Sequence, residues 1–352
     1  MRVLVVKMSA LGDIIHALPV LDYLTRVAPG IEIDWIVEEP FRDLLEGNPL
    51  IQRLHLVRTK TWRKKPFAPE TRREIGALKR DLRERSYDIV FDIQGNMKSG
   101  LIDWLSGAKM RLGFSSEILQ ERLNQLFTTQ RISIRQQDYH VTDQYLRLVS
   151  APFEQDFTEM ELTSHIHTSP EEDAVAEAIL SPLNSGPVFL FQYGTTWQTK
   201  FWHEAGWIEL GKNIISRYPG SSILLSWGNA AEHMVVTRLA AEIGPKAKVM
   251  ERYSLKGLTA ILKKVDLVVG GDTGPVHLAA AVGTPTVSYY RASNGRRSGP
   301  RGDRHVIIQA PMSCTACFRT KCDKDEVCRD SITVQDVVLG IEKLIPAAIS
   351  IT

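Results

Sequence analysis

The amino-acid sequence predicts an α/β protein of two domains, each a parallel sheet covered by helices. Short apolar runs alternate with amphipathic helices along the first half of the chain. A segment with several prolines and weak periodicity, residues 150–186, interrupts this pattern, and the alternation then starts again. A length of 352 residues is enough for two such domains. Because alternating strands and helices build parallel sheets, each half predicts one sheet.

The elements of the first half follow from their apolar spacing. The predicted strands are residues 3–6, 32–37, 54–57 and 87–92. Residues 14–27 are predicted to be helical, with a kink or restart at Pro19, and residues 70–85 form a charged surface helix. A loop at residues 93–96 follows the fourth strand.

The second half repeats the same organisation. Its predicted strands are residues 188–193, 222–227, 267–269 and 286–290, and its predicted helices are residues 207–217, 231–243 and 333–345. We therefore expect two Rossmann-like domains that face a central cleft, residues 1–165 and 166–330, followed by a C-terminal helical segment, residues 331–352.

Composition restricts the class of protein. Apolar residues make up 43% and charged residues 24% of the chain, which is typical of a globular protein. The net charge of +2 provides no overall field for nucleic acid, so we expect no nucleic-acid partner. Met1 and Arg2 lead directly into a strand, and no apolar run is long enough to span a bilayer. These features predict a cytoplasmic protein.

A Gly-rich segment, residues 270–277 (GGDTGPVH), is the most informative motif. It connects the predicted strand 267–269 to a helix, so a Gly-rich turn is expected at a helix N-terminus, where backbone N–H groups bind phosphate. The turn contains Asp272, Thr273 and Gly274, and His277 lies one helical turn further on. This combination predicts a site for a phosphorylated ligand at the carboxyl end of a strand.

A second polar loop, residues 194–202, follows the predicted strand 188–193. Thr195 and Thr196 could donate hydrogen bonds to a diphosphate, and Lys200 could neutralise its charge. The alternative is an ordinary polar loop. The spacing is not that of a Walker A motif, and the absence of G-x-G-x-x-G in the sequence disfavours a dinucleotide-dependent oxidoreductase.

The first strand leads into K-M-S-A-L-G-D-I-I-H, residues 7–16. Gly12 is expected to tighten the turn there, and Asp13 could act as a general base toward a substrate hydroxyl. The alternative is that Asp13 caps the following helix. Glu232, after another strand, presents the same choice between a hydrogen bond to a ribose and a place in the first turn of a helix.

Two further groups of residues carry open interpretations. A basic loop with Arg58, Lys60, Arg63 and Lys64 is either a solvated surface or a docking site for an acidic acceptor, which Gln94 and Lys98 could help to orient. The cysteines of the chain are Cys314, Cys317, Cys322 and Cys328. Four thiolates could hold a structural zinc ion, although their spacing is irregular, and packed free thiols are the alternative.

The motifs together resemble the ADP-heptose:lipopolysaccharide heptosyltransferases. Residues 7–19 (KMSALGDIIHALP) resemble the opening motif of that family, and residues 194–202 (GTTWQTKFW) resemble its phosphate-binding loop. Residues 270–281 (GGDTGPVHLAAA) resemble its donor signature, and residues 92–99 (DIQGNMKS) a fourth family segment. The motifs occur in the family's order and cover nearly the whole chain.

The resemblance implies a GT-B fold, in which the C-terminal helical segment, residues 331–352, crosses back toward the first domain. It also implies an inverting transferase without a catalytic metal or other required cofactor. It implies transfer of L-glycero-D-manno-heptose from ADP-heptose to the lipopolysaccharide inner core, with Kdo-lipid A as the first acceptor in that pathway. The expected place is the inner face of the bacterial inner membrane, where the enzyme would be peripherally associated. The cysteine segment resembles members that add the second heptose, whereas the opening motif and the region around Lys98 resemble members that add the first.

The resemblance also implies roles for individual residues. Asp13 would be the general base, and Lys200 with Thr195, Thr196 and the Thr273–Gly274 amides would stabilise the leaving ADP. Glu232 would contact the ribose and Tyr253 the adenine. The predicted donor-binding residues are completed by Asp272 and His277. The predicted acceptor-binding residues are Lys7, Ser9, Gly12, Arg58, Lys60, Arg63, Lys64, Gln94 and Lys98.

Two alternative functions stay open at this point. One is a related nucleotide-sugar glycosyltransferase of O-antigen or surface-polysaccharide synthesis. The other is a nucleotide-binding or membrane-surface module without catalysis. The sequence does not predict an oligomeric state.

Overall fold

The computed structural model describes residues 1–119, 121–183 and 185–346. Contacts divide the chain into two compact units, Met1–His167 and a second unit that begins at Thr168. This division lies two residues from the predicted domain boundary at 165/166. Within the described ranges, every helix is too short or too polar to cross a lipid bilayer.

The first unit is built on a six-stranded sheet in which all neighbouring strands are parallel. Its strands are β1 (Arg2–Val6), β2 (Glu32–Glu38), β3 (Arg53–Val57), β4 (Ile89–Asp92), β5 (Met110–Phe114) and β6 (Gln130–Ile132). Their spatial order is β3-β2-β1-β4-β5-β6. β1 therefore lies in the middle, and Val3–Val6 are fully buried, as expected for a central strand of a parallel sheet.

Helices connect these strands. They are α1 (Leu11–Ala17), α2 (Pro19–Val27), α3 (Arg42–Leu45), α4 (Thr59–Lys64), α5 (Pro69–Arg85), α6 (Met97–Ser106) and α7 (Val141–Ser150). Pro19 is the first residue of α2, so the predicted restart at this proline is confirmed. Asn96 caps α6, because its side chain accepts a hydrogen bond from the Ser99 amide. A 3-10 helix, Arg122–Leu126, packs against α6.

The second unit repeats the architecture with a second six-stranded parallel sheet. Its strands are β7 (Val188–Gln192), β8 (Ser222–Ser226), β9 (Ala247–Val249), β10 (Leu267–Gly271), β11 (Thr286–Tyr290) and β12 (His305–Gln309). Their order is β12-β11-β10-β7-β8-β9. β10, β7 and β8 are therefore consecutive neighbours, which brings the loops that follow them to one region of the sheet edge.

The helices of the second unit are α8 (Pro170–Leu180), α9 (Glu204–Arg217), α10 (Ala230–Ile243), α11 (Leu255–Leu262), α12 (Gly274–Ala281), α13 (Gly295–Ser298), α14 (Asp325–Asp330) and α15 (Val334–Leu344). An aromatic group that includes Phe191, Trp202, Trp207 and Tyr289 lies in the core beside β7 and α9. Because all four rings are buried and the Trp207 ring contacts each of the other three, they anchor α9 to the sheet.

The final helix, α15, packs against α9, β11 and β12 of the second unit. Thr333 and Asp336 form a capping box at its start, and the Trp202 indole donates to the Ile332 carbonyl just before it. The predicted return of this helix toward the first domain stays a prediction. Residues 347–352 of the predicted segment 331–352 lie outside the described residues.

The strands and helices predicted from periodicity are present, with boundaries that shift by a few residues. The prediction missed β6, β9 and β12, which lie at sheet edges and have no fully buried residue. It also missed β5, which lies inside the sheet but is only partly buried at Met110 and Arg111. Among the helices it missed α4 and α6, whose polar or small residues hide the helical period, and α7, although the apolar residues of α7 are spaced as in an amphipathic helix. These elements complete each sheet to six strands.

Candidate active site

The predicted motifs of the second unit follow three neighbouring strands. Residues 194–202 follow β7, Glu232 follows β8, and residues 272–277 follow β10. In an open parallel sheet, ligands bind at the carboxyl ends of the strands. The strand order β10-β7-β8 therefore assembles motifs that are up to about 80 residues apart in the chain.

Lys200, Asp272 and His277 form the centre of this group. The Lys200 ammonium donates to Asp272 Oδ2 over 2.5 Å, and His277 Nε2 lies 2.9 Å from Asp272 Oδ1. The Lys200 and Asp272 side chains are only 14% and 10% exposed. The Lys200 ammonium also lies 4.7 Å from the centre of the Trp197 ring. The loop at residues 194–202 and the Gly-rich segment at residues 270–277, which are distant in the sequence, thus contribute to one polar cluster.

The charge state of Asp272 follows from these partners. Burial by itself would raise the pKa of this carboxyl group, but the hydrogen bond and charge of His277, together with the Lys200 ammonium, outweigh burial. The net effect holds the pKa of Asp272 well below its usual range. Asp272 is therefore an anion that fixes Lys200 in place.

The glycines of the donor signature do not form the predicted turn. β10 continues through Gly271, so Gly270 and Gly271 are strand residues, and the turn comprises only Asp272 and Thr273. A Cβ at Gly270 would lie 2.6 Å from Val276, and one at Gly271 would lie 2.9 Å from the Tyr289 ring. These glycines allow α12 and β11 to approach β10 closely, and this is the physical reason for the correction.

α12 begins immediately after this turn, at Gly274, with Thr273 as its N-cap and Pro275 in its first turn. Proline is common at this position of a helix. The His277 amide donates to the Thr273 carbonyl one turn back. The first amides of a helix have no partner within the helix. The start of α12 therefore presents N–H groups beside the Lys200 ammonium.

The two threonines of the β7 loop differ in their surroundings. Thr196 is exposed, whereas Thr195 is partly buried. The Thr195 hydroxyl oxygen itself is buried without a hydrogen-bond partner among the described residues. A buried hydroxyl without a partner is unfavourable, so a ligand oxygen at this position would satisfy it.

Glu232 occupies the first turn of α10, as the alternative interpretation expected. Its carboxylate accepts hydrogen bonds from the Gly228 amide and the Asn229 side chain, both over 2.7 Å. A Cβ at Gly194 would lie 2.1 Å from Glu232 Oε2, so this carboxylate also touches the start of the β7 loop. Tyr253 is partly buried just before α11, and burial, with a smaller effect of Glu251, raises the pKa of its hydroxyl.

In the first unit, the opening motif contacts the segment after β4. The amides of Met8 and Ser9 both donate to Gln94 Oε1, over 2.9 and 3.1 Å. The Lys7 side chain is buried, with its ammonium 3.5 Å from the Ile93 carbonyl oxygen and 4.7 Å from the centre of the Tyr145 ring. Gln94 therefore joins the ends of β1 and β4, and Lys7 is a buried cation behind that junction.

Asp13 lies at the third position of α1, and its side chain is partly exposed. Asp13 Oδ2 accepts a hydrogen bond from the Ala10 amide over 3.2 Å, so the capping interpretation is correct as a description of its contacts. Capping occupies one of its lone pairs and leaves the carboxylate able to accept a proton. Gly12 lies inside α1 and does not tighten a preceding turn, because the helix already begins at Leu11.

The predicted basic loop is in fact a short helix, α4, which the run of long polar side chains concealed. Arg58, just before it, forms an ion pair with Glu74, whereas Lys60, Arg63 and Lys64 are exposed. Lys98 is partly buried, with its ammonium 3.4 Å from the hydroxyl oxygen of Thr59. α4 thus contributes a cationic surface beside the segment that follows β4.

The four cysteines do not form the zinc site that the sequence suggested. Cys314 is exposed and the others are partly exposed, all as free thiols. No group of three or more potential metal ligands occurs among the described residues. The physical reason is that Cys328 lies on α14 and packs toward the hydrophobic core, while Cys314 faces solvent.

The prediction missed a polar cluster behind Gln94. Asp92 accepts hydrogen bonds from the Gln94 and Gly95 amides, from the Ser99 hydroxyl and from the Asn124 side chain. Asp92 and Ser99 occur in the segment 92–99 that carried the resemblance, which is the signal that could have identified them. Asn124 carries no such signal, because it joins the cluster only through the packing of its 3-10 helix on α6.

Comparisons with known proteins cover nearly the whole chain. The model of glycosyltransferase family 9 (heptosyltransferase) matches residues 75–328. Lipopolysaccharide heptosyltransferase 1 of Pseudomonas aeruginosa is 34% identical over 322 residues, which cover 92% of this chain and 87% of that protein. The protein of the same name from Escherichia coli K12 is 29% identical over 316 residues, 88% of this chain and 94% of that protein.

Solved structures agree with the sequence relatives. E. coli heptosyltransferase WaaC with ADP matches with a TM-score of 0.80 at 28% identity, covering 98% of this chain and 100% of that chain. E. coli heptosyltransferase II, at 20% identity and a TM-score of 0.77, covers 98% of both chains and shows the same fold. These likenesses confirm the predicted GT-B fold class. Because the family model spans most of the chain and a 34% identical relative aligns with 92% of it, the chain belongs to glycosyltransferase family 9, the heptosyltransferase family.

Proposed function

We propose that this enzyme transfers L-glycero-D-manno-heptose from ADP-heptose to Kdo-lipid A as the first heptose of the lipopolysaccharide inner core, with inversion and without a metal ion. Relatives named lipopolysaccharide heptosyltransferase 1 support this function. The structure of E. coli WaaC with ADP-2-deoxy-2-fluoro heptose covers 97% of this chain, and this match supports an ADP-heptose donor. The observation that carries the proposal is the contact between Lys200 and Asp272, since it joins the two sequence motifs expected to hold a sugar nucleotide.

The donor diphosphate would bind at the start of α12. The Thr273 and Gly274 amides, the Thr195 and Thr196 hydroxyls and the Lys200 ammonium are its expected partners. As the glycosidic bond breaks, the leaving ADP gains negative charge, and donors aimed at that charge lower the barrier. The buried Thr195 hydroxyl without a partner supports this assignment.

Asp272 and His277 would position the cation of this site. Asp272 is held as an anion next to Lys200, so the ammonium is fixed before the substrate arrives. Preorganised charge of this kind requires no reorganisation during the reaction. Glu232 would accept hydrogen bonds from the ribose hydroxyls and Tyr253 would line the adenine pocket. The contact between Glu232 and the β7 loop supports the ribose assignment.

Asp13 would act as the general base. It would take the proton from the acceptor hydroxyl as the hydroxyl oxygen attacks the anomeric carbon on the face opposite ADP, which inverts that centre. The Asp13 carboxylate accepts a hydrogen bond from the Ala10 amide, and this contact would hold the side chain in position. A second lone pair of the carboxylate would then accept the proton of the acceptor hydroxyl. Lys7, Ser9, Gly12, Gln94 and Lys98 are the proposed framework of the acceptor site.

The acceptor would be held at the inner face of the inner membrane. Lys60, Arg63 and Lys64 are exposed on α4 and Arg58 precedes them, so this surface is suited to anionic sugar and phosphate groups. Arg58 is already paired with Glu74, so its contribution would be smaller.

The test is incubation of the enzyme with ADP-heptose and either Kdo-lipid A or a monoheptosylated acceptor, followed by mass spectrometry. We expect one added heptose on Kdo-lipid A, undiminished by EDTA, and at least a hundredfold slower turnover by Lys200→Ala. Addition only to the monoheptosylated acceptor would assign the second heptose instead. ADP should also raise the melting temperature; a response only to UDP or GDP would exclude an ADP-sugar donor.

A further inference from the structure

A buried carboxyl group without a hydrogen-bond donor lies behind the acceptor segment. Asp103 is on α6, and its exposed fraction is 0%. Neither of its carboxyl oxygens accepts a hydrogen bond from a donor within residues 1–119, 121–183 and 185–346. An ionised carboxylate in such surroundings would be strongly unfavourable, so the group must carry a proton.

The surroundings of Asp103 identify where that proton can point. The charged groups that face it are the Asp92 carboxyl at the end of β4 and the Arg111 guanidinium on β5. The Arg111 side chain is engaged by the carbonyl oxygens of Phe127 and Ala108 and forms no ion pair with Asp103. The other elements packed on α6 contribute Arg83 from α5, which donates to the Leu105 carbonyl, and the amide side chain of Asn124.

Asp92 accepts hydrogen bonds through both of its carboxyl oxygens. Its Oδ1 accepts the Gln94 and Gly95 amides over 3.0 and 2.9 Å. Its Oδ2 accepts the Ser99 hydroxyl over 2.8 Å and the Asn124 side chain over 2.6 Å. All four partners donate, so Asp92 acts as an acceptor.

We propose that Asp103 is a neutral carboxylic acid that donates a hydrogen bond to Asp92 and thereby positions the acceptor segment and the loop before Asp13. Asp92 orders the backbone of Gln94, and Gln94 Oε1 holds the Met8 and Ser9 amides, one to five residues before Ala10 and Asp13. Asp103 is a positioning residue, because it acts through Asp92 and Gln94. The catalytic part of this inference rests on the proposed role of Asp13.

The pKa of Asp103 agrees with this geometry. Burial raises it well above the usual range, and the charge and hydrogen bond of Asp92 raise it further, against a smaller opposing effect of Arg111. In the unfolded chain an Asp carboxyl loses its proton above about pH 4. Between that pH and the folded-state pKa, the folded protein binds one more proton than the unfolded chain, so this group makes the protein less stable as pH rises.

The first test compares melting temperatures from pH 5 to pH 9 for the parental enzyme and Asp103→Asn. Asn keeps a neutral donor at this position without a titration, so we expect the variant to gain stability relative to the parent progressively as pH rises. Asp22→Asn is the matched control, because Asp22 is a buried carboxyl whose pKa is lowered by Arg26 and Thr163, against the effect of burial. The difference in melting temperature between Asp22→Asn and the parent should be independent of pH above pH 5. If the melting temperature of Asp103→Asn relative to the parent stays constant or falls as pH rises, the assignment of Asp103 as a neutral acid is overturned.

The second test measures steady-state kinetics on the acceptor. Asp103→Leu should lower kcat at least tenfold while the KM for ADP-heptose changes less than twofold, because the donor residues are in the other unit. Asp103→Asn should restore kcat to within about twofold of the parental value. Equal losses in both variants, or a loss confined to the donor KM, would contradict the positioning role. The melting experiment requires no turnover, so it tests Asp103 even if Asp13 proves not to be the base.

Discussion

Asp13 illustrates how one side chain can satisfy two interpretations of a sequence. Its hydrogen bond with the Ala10 amide, 3.2 Å long, is that of an ordinary residue in the first turn of a helix. A carboxylate keeps further lone pairs after it accepts one such bond. Capping therefore does not compete with a role as a base, and it fixes the direction of the carboxylate.

Substitution of Asp13 separates the two roles. Asp13→Asn keeps an acceptor for the Ala10 amide but cannot take a proton, so we expect turnover to fall about 10²–10⁴-fold with an unchanged melting temperature. Asp13→Ala should show the same loss of turnover and also lose about 1 kcal/mol of stability, because the cap is removed. Stopped-assay kinetics and thermal unfolding would measure both. Parental activity in Asp13→Asn would restrict Asp13 to capping.

Asp272 supports the donor site through its charge. Because its pKa is lowered in the folded protein, the carboxylate stabilises the fold above the unfolded pKa of about 4, and this contribution is lost as pH falls below that value. The side chain is mostly buried, so the effect is little screened by solvent.

We therefore expect Asp272→Asn to cost on the order of 3 kcal/mol at pH 7. The difference in unfolding free energy between Asp272→Asn and the parent should shrink as pH falls from 5 to 3. Over this range the unfolded parental chain begins to bind a proton at Asp272, and the stabilisation by the ionised carboxylate decreases. Glu177→Gln is the control, since Glu177 also pairs with a lysine over 2.5 Å but its side chain is 58% exposed. That change should cost less than about 0.5 kcal/mol. An equal, pH-independent effect in both variants, measured by urea unfolding, would contradict the assigned pKa direction.

At the scale of elements, the glycines of β10 show why a motif can be recognised and its geometry still misjudged. Glycine in a loop sequence usually indicates a turn. Here Gly270 and Gly271 extend the strand, and their missing side chains admit Val276 of α12 and Tyr289 of β11. The close approach of α12 to the sheet sets the position of the helix start, which is where the donor phosphates are proposed to bind.

Gly270→Ala should therefore destabilise the protein by roughly 1–3 kcal/mol and raise the KM for ADP-heptose, because the added methyl group would displace α12. Gly76→Ala is the matched control. Gly76 is exposed in the middle of α5 and a Cβ there meets nothing within 4 Å, so the change should stabilise the protein by about 0.5–1 kcal/mol. Chemical denaturation measures both variants, and a harmless Gly270→Ala would argue against the packing role.

For the whole molecule, the donor and acceptor motifs are divided between two compact units. The proposed donor residues all come after Thr168, and Asp13 with the acceptor segment comes before it. ADP alone should therefore slow amide hydrogen exchange most strongly in residues 194–200 and 272–281. Strong protection confined to the first unit would show that the nucleotide binds elsewhere and would refute the donor assignment.

The sequence by itself determined the class of fold and the chemistry of the site. Strand and helix periodicity arises from neighbouring residues, and this is why β1 to β4 and β7, β8, β10 and β11 could be predicted together with several of the helices between them. Because the polar motifs directly follow predicted strands in the sequence, polar side chains could be expected at the carboxyl ends of the strands in both sheets. Edge strands and short helices such as β6 and α4 were missed, because partial burial weakens the periodic signal.

Only the tertiary structure decided which residues meet. Lys200 pairs with Asp272 across 72 positions, and Gln94 holds the Met8 amide across 86, because the strand order sets β7 beside β10 and β4 beside β1. The same packing placed Gly270 in a strand, separated the environments of Cys314 and Cys328, and buried Asp103 without a donor. Local periodicity contains no information about strand order or burial between distant segments, so these features arise only when the sheets assemble.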